Sequence, residues 1–188
     1  MTRRYWPAIY GLATFRTPDN HGGIGRKMTG YVNSINIAAT EGGDLVELPV
    51  ANVIAEQGIE GDRYCIPALP PNFNQISLVE SEAIASFAGE LAVEIDPCEV
   101  RRNIVTRDIS LNNLVGKRFR LGNVDVIGTE LAEPCKGIAD ILIAKYALDG
   151  VTAKDIVSSL LHRGGLYARV LQGGRVRAGD PIQILSSV

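Results

Sequence analysis

From residue 30 onward the chain breaks into short runs in which β-branched and other apolar residues alternate with polar ones, each run ending at Gly, Asn or Asp. The runs "YVNSINIA", "LVELPVANVIAE", "NQISLVE", "RRNIVTRDI", "KRFRLGNVDVIGTELAE", "GLYARVLQG" and "DPIQILSS" carry the period of strands, and their regular spacing predicts an all-β sheet system or barrel. Within "RFRLGNVDVIG", Gly122 and Asn123 separate two alternating segments, the arrangement of a tight hairpin whose mirror-image turn matches strand twist. "RAGD", just ahead of the last apolar run, predicts a turn that closes the barrel.

Helical spacing is rarer. Ser81 to Leu91 places Ile84, Phe87, Ala88 and Leu91 on one face, with Ser81 as the expected cap and Gly89 weakening the end. Thr152 to His162 carries the stripe Ile156, Val157, Leu160 and Leu161, opened by Thr152 and stopped by Gly164-Gly165. A third short helix is expected from near Cys135 towards Tyr146. Residues 1–29 show loop chemistry around Pro18, Asp19 and Asn20 and no sustained period, so they read as a poorly ordered N-terminal arm ahead of one principal domain at 30–188.

With 188 residues, 46% apolar, 21% charged and a net charge of -2, the composition is that of a soluble globular protein. The near-balance of charge argues against nucleic acid as a partner, while leaving local basic clusters able to hold a small anion. No run approaches the ~18 apolar residues of a membrane-spanning helix. Pro7 and Gly11 interrupt the apolar stretch after Arg3-Arg4, so export is not expected. Three widely spaced cysteines without a C-x-x-C pair fit a reducing, cytoplasmic setting.

The candidate chemistry centres on "EPCKGI". Cys135 follows Pro134 and precedes Lys136 where a strand ends and a helix begins, and both a helix N-terminus and a neighbouring cation favour the thiolate. The alternative is a small buried hydrophobe, the reading that also suits Cys65 and Cys98. In "EQGIEGDRYCI", Gly58 and Gly61 permit a tight backbone path, so that Asp62 and Arg63 either complete an anion site or close an ordinary turn as an ion pair. In "VRRNIVTRD", strict strand alternation would put Arg101 and Asn103 on one face and Arg102 on the other, the alternative being a solvated edge. His162 reads as a surface residue at a helix end, and with His21 as the only other histidine a histidine-based triad is disfavoured.

Taken in order, "GYVNSINIA", "GIEGDRY", "QISLVESEAI", "RRNIVT", "GKRFRLGNVDVIGTELAEPCKGI" and "RGGLYARVLQGGRVRAGD" resemble the MOSC domain of molybdenum cofactor sulfurases and of stand-alone proteins, over about residues 30 to 188. The resemblance implies a mainly β fold, a closed or partly closed, mostly antiparallel barrel of the pyruvate kinase β-barrel-like kind with a few short helices. It implies that Cys135 carries sulfur or ligates molybdenum, and that Arg63, Arg101, Arg102 and Lys136 hold the phosphate of a molybdopterin-type cofactor with Asn103 as a polar anchor. Pyridoxal phosphate binding is also associated with the family. The length leaves no room for the extra N-terminal barrel of larger relatives, and there is no ferredoxin-like cysteine cluster, so a reductase of this type takes electrons from a partner. Three functions follow as expectations: a molybdenum-dependent reductase of N-hydroxylated small molecules, a carrier receiving sulfane sulfur from a cysteine desulfurase, or a non-catalytic ligand-binding barrel.

Overall fold

The computed structural model describes residues 28–67 and 73–185. The arm expected over residues 1–29 lies outside them except for its last two residues, which open the first strand. In chain order the elements are β1 (Met28–Ile37), β2 (Val46–Glu47), β3 (Val50–Ile54), β4 (Gly58–Ile59), β5 (Ile76–Glu80), α1 (Ser81–Leu91), β6 (Ile104–Arg107), β7 (Arg118–Leu121), β8 (Val124–Leu131), α2 (Lys136–Tyr146), α3 (Ala153–Ser159), β9 (Leu166–Gln172), β10 (Gly174–Arg177) and β11 (Pro181–Ile184).

The large sheet runs β11-β7-β8-β9-β5-β6-β1-β2, and β11 also pairs with β1, so all of it but β2 closes into a barrel. Among the described strands of the ring, only β5 and β6 pair in parallel. The "RAGD" turn makes the closure as expected. Asp180 accepts the Arg177 N–H at 2.8 Å, Gly179 takes a φ of 86°, and the chain then enters β11. The β7–β8 hairpin turns at Gly122-Asn123, between the paired residues Leu121 and Val124. Gly122 there adopts a φ of 54°, a conformation that a Cβ disfavours.

Strand alternation divides the apolar residues between two cores. Ile76, Leu78 and Ile104 point into the barrel with Phe119, Leu166 and Val170. Their neighbours Val79 and Val105 point outward, under Ile84 and Phe87 of α1, Leu142 of α2 and Ile156 of α3. The helices therefore cover the outer face of the β5–β6 pair. Phe87 is wholly buried there, and its truncation to Ala would cost about 3–5 kcal/mol.

Several local expectations change. Ser81 is already the first helical residue of α1, and its side chain makes no cap; the N-cap is Glu80, whose carboxylate is engaged by the Leu111 N–H at 2.6 Å. Thr152 does cap α3, in a capping box with Asp155. However, α3 stops at Ser159 rather than running to His162, which takes a φ of 60° in the turn that follows. The third helix forms, with Cys135 as its N-cap residue. The short strands β4 and β10 were not expected from glycine-rich stretches; they flank β3 in a separate three-stranded sheet.

Candidate functional site

Beside β5 and β6 lies a cleft of about 670 Å³. Its wall is built from six separate stretches: the end of β1 and the chain after it, the turn after β4, the start of β5, the approach to β6, the junction between β8 and α2, and β9 at Tyr167. Ser77 and Tyr167 reach it because each alternates with barrel-core residues on its strand. Of the residues expected to form a site, Arg63, Arg101, Arg102, Asn103 and Cys135 line this cleft. Lys136 is not among its lining; its ammonium pairs with Asp140 at 2.6 Å, one helical turn on, in an exposed position.

A part-buried amide network forms the floor. Asn103 accepts the Ser77 N–H at 3.1 Å and the Ser77 hydroxyl at 2.9 Å on Oδ1, and its own N–H donates to Ser77 Oγ at 3.1 Å. Its Nδ2 donates to Asp62 Oδ2 at 3.2 Å and to the Asn36 carbonyl at 3.4 Å. Asp62, 8% exposed, also accepts the Ala38 N–H at 3.1 Å and the Tyr64 N–H at 3.0 Å. Bonded in this way to each other, to the end of β1 with the residue after it, and to the start of β5, the two side chains act as a rigid joint.

The Asp62–Arg63 ion pair weighed for the turn does not form. Asp62 turns inward to Asn103 and to backbone N–H groups, whereas the Arg63 guanidinium lies over the Tyr64 ring at 4.4 Å and donates to its hydroxyl at 3.4 Å. Strand alternation also fails for the arginine pair. β6 begins only at Ile104, and Arg101 sits in the left-handed conformation, φ 59°, at the end of the 3-10 turn Pro97–Val100. Arg101, Arg102 and Asn103 consequently all border the cleft. Arg101 donates to the Gly43 carbonyl at 2.8 Å, which leaves most of its donors uncommitted by the described hydrogen bonds. Arg102 is differently employed, donating from Nε to Gly164 O at 2.8 Å, from Nη2 to Ala132 O at 2.6 Å and from Nη1 to the Tyr167 hydroxyl at 3.2 Å.

Cys135 is exposed at the mouth of the cleft, while Cys65 and Cys98 are half-buried. Burial, followed by Asp96, pushes the Cys98 thiol up to about 12. Cys65 is also raised, by burial first and then by Asp62 and Glu60. Both are thereby made poor nucleophiles at neutral pH. Sequence reading missed Glu133, which lines the cleft and accepts the His162 N–H at 2.9 Å and contacts His162 Nδ1 at 2.7 Å. It also missed Ser77, Tyr64 and Tyr167. Their outward strand positions and their place beside quoted motifs were visible, but not the partners that give them a role.

A family model described as the MOSC domain matches residues 57–183. Among solved structures, the YuaD protein from Bacillus subtilis superposes with a TM-score of 0.73 at 22% identity, covering 86% of this chain and 98% of that one. YiiM from Escherichia coli gives 0.57 at 20% identity, covering 84% of this chain and 71% of that one. YiiM from Geobacillus stearothermophilus gives 0.59 at 18% identity, covering 84% and 75%. At these identities the likeness is one of fold. No curated protein matches the sequence.

Proposed function

The chain belongs to the MOSC domain family, and on that premise we propose that it binds a molybdopterin-type molybdenum cofactor in this cleft and reduces N-hydroxylated small molecules, with Cys135 as the protein ligand to the metal. The observation that carries the reading is the shared cleft: an exposed thiol at one side, and the arginines 63 and 101 on the other segments of the same wall.

The donor set fits such a cofactor better than a bare ion. Among the described residues no group of three or more His, Cys, Asp or Glu is placed to hold a metal. An organic chelate would supply the remaining ligands of a metal at Cys135, and a soft thiolate suits molybdenum held by the sulfurs of a pterin. When bound, the cofactor supplies a two-electron redox centre. The protein's own groups bind and orient. Arg63 and Arg101 offer guanidinium donors to a phosphate, Tyr64 and Tyr167 line the cleft with Arg63 and Arg102 stacked over their rings, and the Ser77–Asn103–Asp62 network holds the floor rigid. Electrons come from a separate reductase, and the substrate is a small molecule.

The test is molybdenum analysis of protein made in a cofactor-competent host, followed by assay on a hydroxylaminopurine with an added electron donor. Bound molybdenum and activity that both disappear in Cys135→Ala support the reading; a variant as active as the parent overturns it. The exposure of Cys135, in contrast to the half-buried Cys65 and Cys98, also favours a second reading, a carrier that holds sulfane sulfur from a cysteine desulfurase as a Cys135 persulfide. Intact-mass analysis after incubation with desulfurase and cysteine would then show one added sulfur on Cys135. If neither metal nor sulfur is taken up, a non-catalytic ligand-binding barrel is what remains.

A further inference from the structure

Beyond the Leu131–Leu166 pair the β8–β9 ladder comes to an end, and the two chains separate, one towards Cys135 and the other back to the turn after α3. One backbone bond follows, from the Ala132 N–H to the Gly165 carbonyl at 2.9 Å. The carbonyls of Ala132 and Gly164 then lie past the ladder, and the Arg102 guanidinium takes both, at 2.6 and 2.8 Å, while its third contact is the Tyr167 hydroxyl. The seam beneath it is closely packed. A Cβ on Gly164 would run into the Ala132 carbonyl and stand 3.1 Å from the Pro134 nitrogen.

We infer that Arg102 is a positioning residue that sets where Cys135 stands in the cleft, by clamping the exit of β8 to the approach to β9. Three of its donors are spent on this seam, in contrast to Arg63 and Arg101. A planar guanidinium fork reaches the two carbonyls and the hydroxyl from three separate nitrogens, whereas the three donors of an ammonium leave one atom and would need the acceptors to converge on it. Only Glu133 and Pro134 separate Ala132 from Cys135, the N-cap residue of α2, so a shift of the clamped carbonyl is transmitted directly to the thiol. The inference rests on Cys135 being the reactive residue of the proposed function, but the clamp itself can be tested on the full chain without cofactor.

The experiment compares the parent with Arg102→Ala, Arg102→Lys and Tyr167→Phe by peptide-resolved hydrogen exchange and by the rate of iodoacetamide alkylation at Cys135 at fixed pH. Both Arg102 variants should speed exchange across residues 131–139 by roughly tenfold, the factor that one lost charge-assisted hydrogen bond corresponds to, and should alter the Cys135 alkylation rate by about threefold or more. Exchange in the β7–β8 hairpin should not change. Tyr167→Phe keeps both carbonyl contacts and should give a smaller effect in the same peptides, which preserves the test if Arg102→Ala does not fold. Parent-like exchange in Arg102→Lys would mean that charge suffices and would overturn the clamp, as would an unmoved alkylation rate or exchange that rises evenly over the whole barrel. Absence of molybdenum from the parent would remove the proposed function while leaving this result untouched.

Discussion

The side-chain amide of Asn103 donates to the buried carboxylate of Asp62 at 3.2 Å across 41 residues of sequence. The bond joins the turn after β4 to the approach to β6, so the two segments that bring arginines to the cleft are fastened by non-arginine neighbours. Asp62→Ala would leave the Ala38 and Tyr64 N–H groups and the Asn103 amide short of acceptors, at a cost of about 2–4 kcal/mol. A urea-denaturation double-mutant cycle with Asn103→Ala should give a coupling energy above about 0.5 kcal/mol; additive losses would show that the joint is not cooperative.

Cofactor loading separates the cations. Arg63→Ala and Arg101→Ala should each lower molybdenum content per chain by about tenfold, since each removes a guanidinium facing the cleft. Lys136→Ala should stay within about twofold of the parent, because its exposed ammonium is already paired with Asp140. Equal losses in all three would point to general attraction by positive charge.

Alkaline pH should weaken the fold through one cluster. Cys98 is pushed up to about 12 by burial and Asp96, and Tyr146, which donates to Glu99, is raised above the usual phenol value by burial and then by that carboxylate. A group whose folded pKa is raised contributes stability that is complete below its unfolded value, 9.0 for the thiol, and is lost as pH climbs through the folded value. Lys145, paired with Glu99 at 2.6 Å, partly offsets the acidic neighbours. The urea midpoint should therefore fall between about pH 9 and about pH 12, and the fall should be shallower in a Cys98→Ser, Tyr146→Phe double variant.

Two glycines with positive φ should respond differently to a methyl group. Gly165, at φ 109°, faces the Leu78 carbonyl, into which a Cβ would run. Gly150, at φ 77°, has open space around that position. Gly165→Ala should cost about 3 kcal/mol or more, read as a large drop in melting temperature, and Gly150→Ala about 1–2 kcal/mol from the backbone alone.

Much of the barrel could be read from the chain because its determinants are local. The period-2 runs found β1, β5, β8, β9 and β11, the Gly122-Asn123 pair found its hairpin, and "RAGD" found the closing turn. The apolar stripe gave α1 its bounds, and the "EPCKGI" junction was rightly read as the start of a helix. Where reading failed, the signal was two or four residues long, as in β4 and β10, or depended on a boundary. Strand β6 starting at Ile104 is such a boundary, and it brings Arg101 and Arg102 to the same cleft as Asn103.

The sequence alone determined the fold class and the order of its elements, because strand period, turn conformation and helix capping are decided by interactions among near neighbours. Only the tertiary structure decided which polar groups meet. Asp62 chooses Asn103 over the adjacent Arg63, and Arg102 is drawn to carbonyls 30 and 62 residues downstream. Those choices follow from barrel closure, which sets strands side by side regardless of their separation along the chain and leaves each buried polar atom to bond with whatever the neighbouring strand presents.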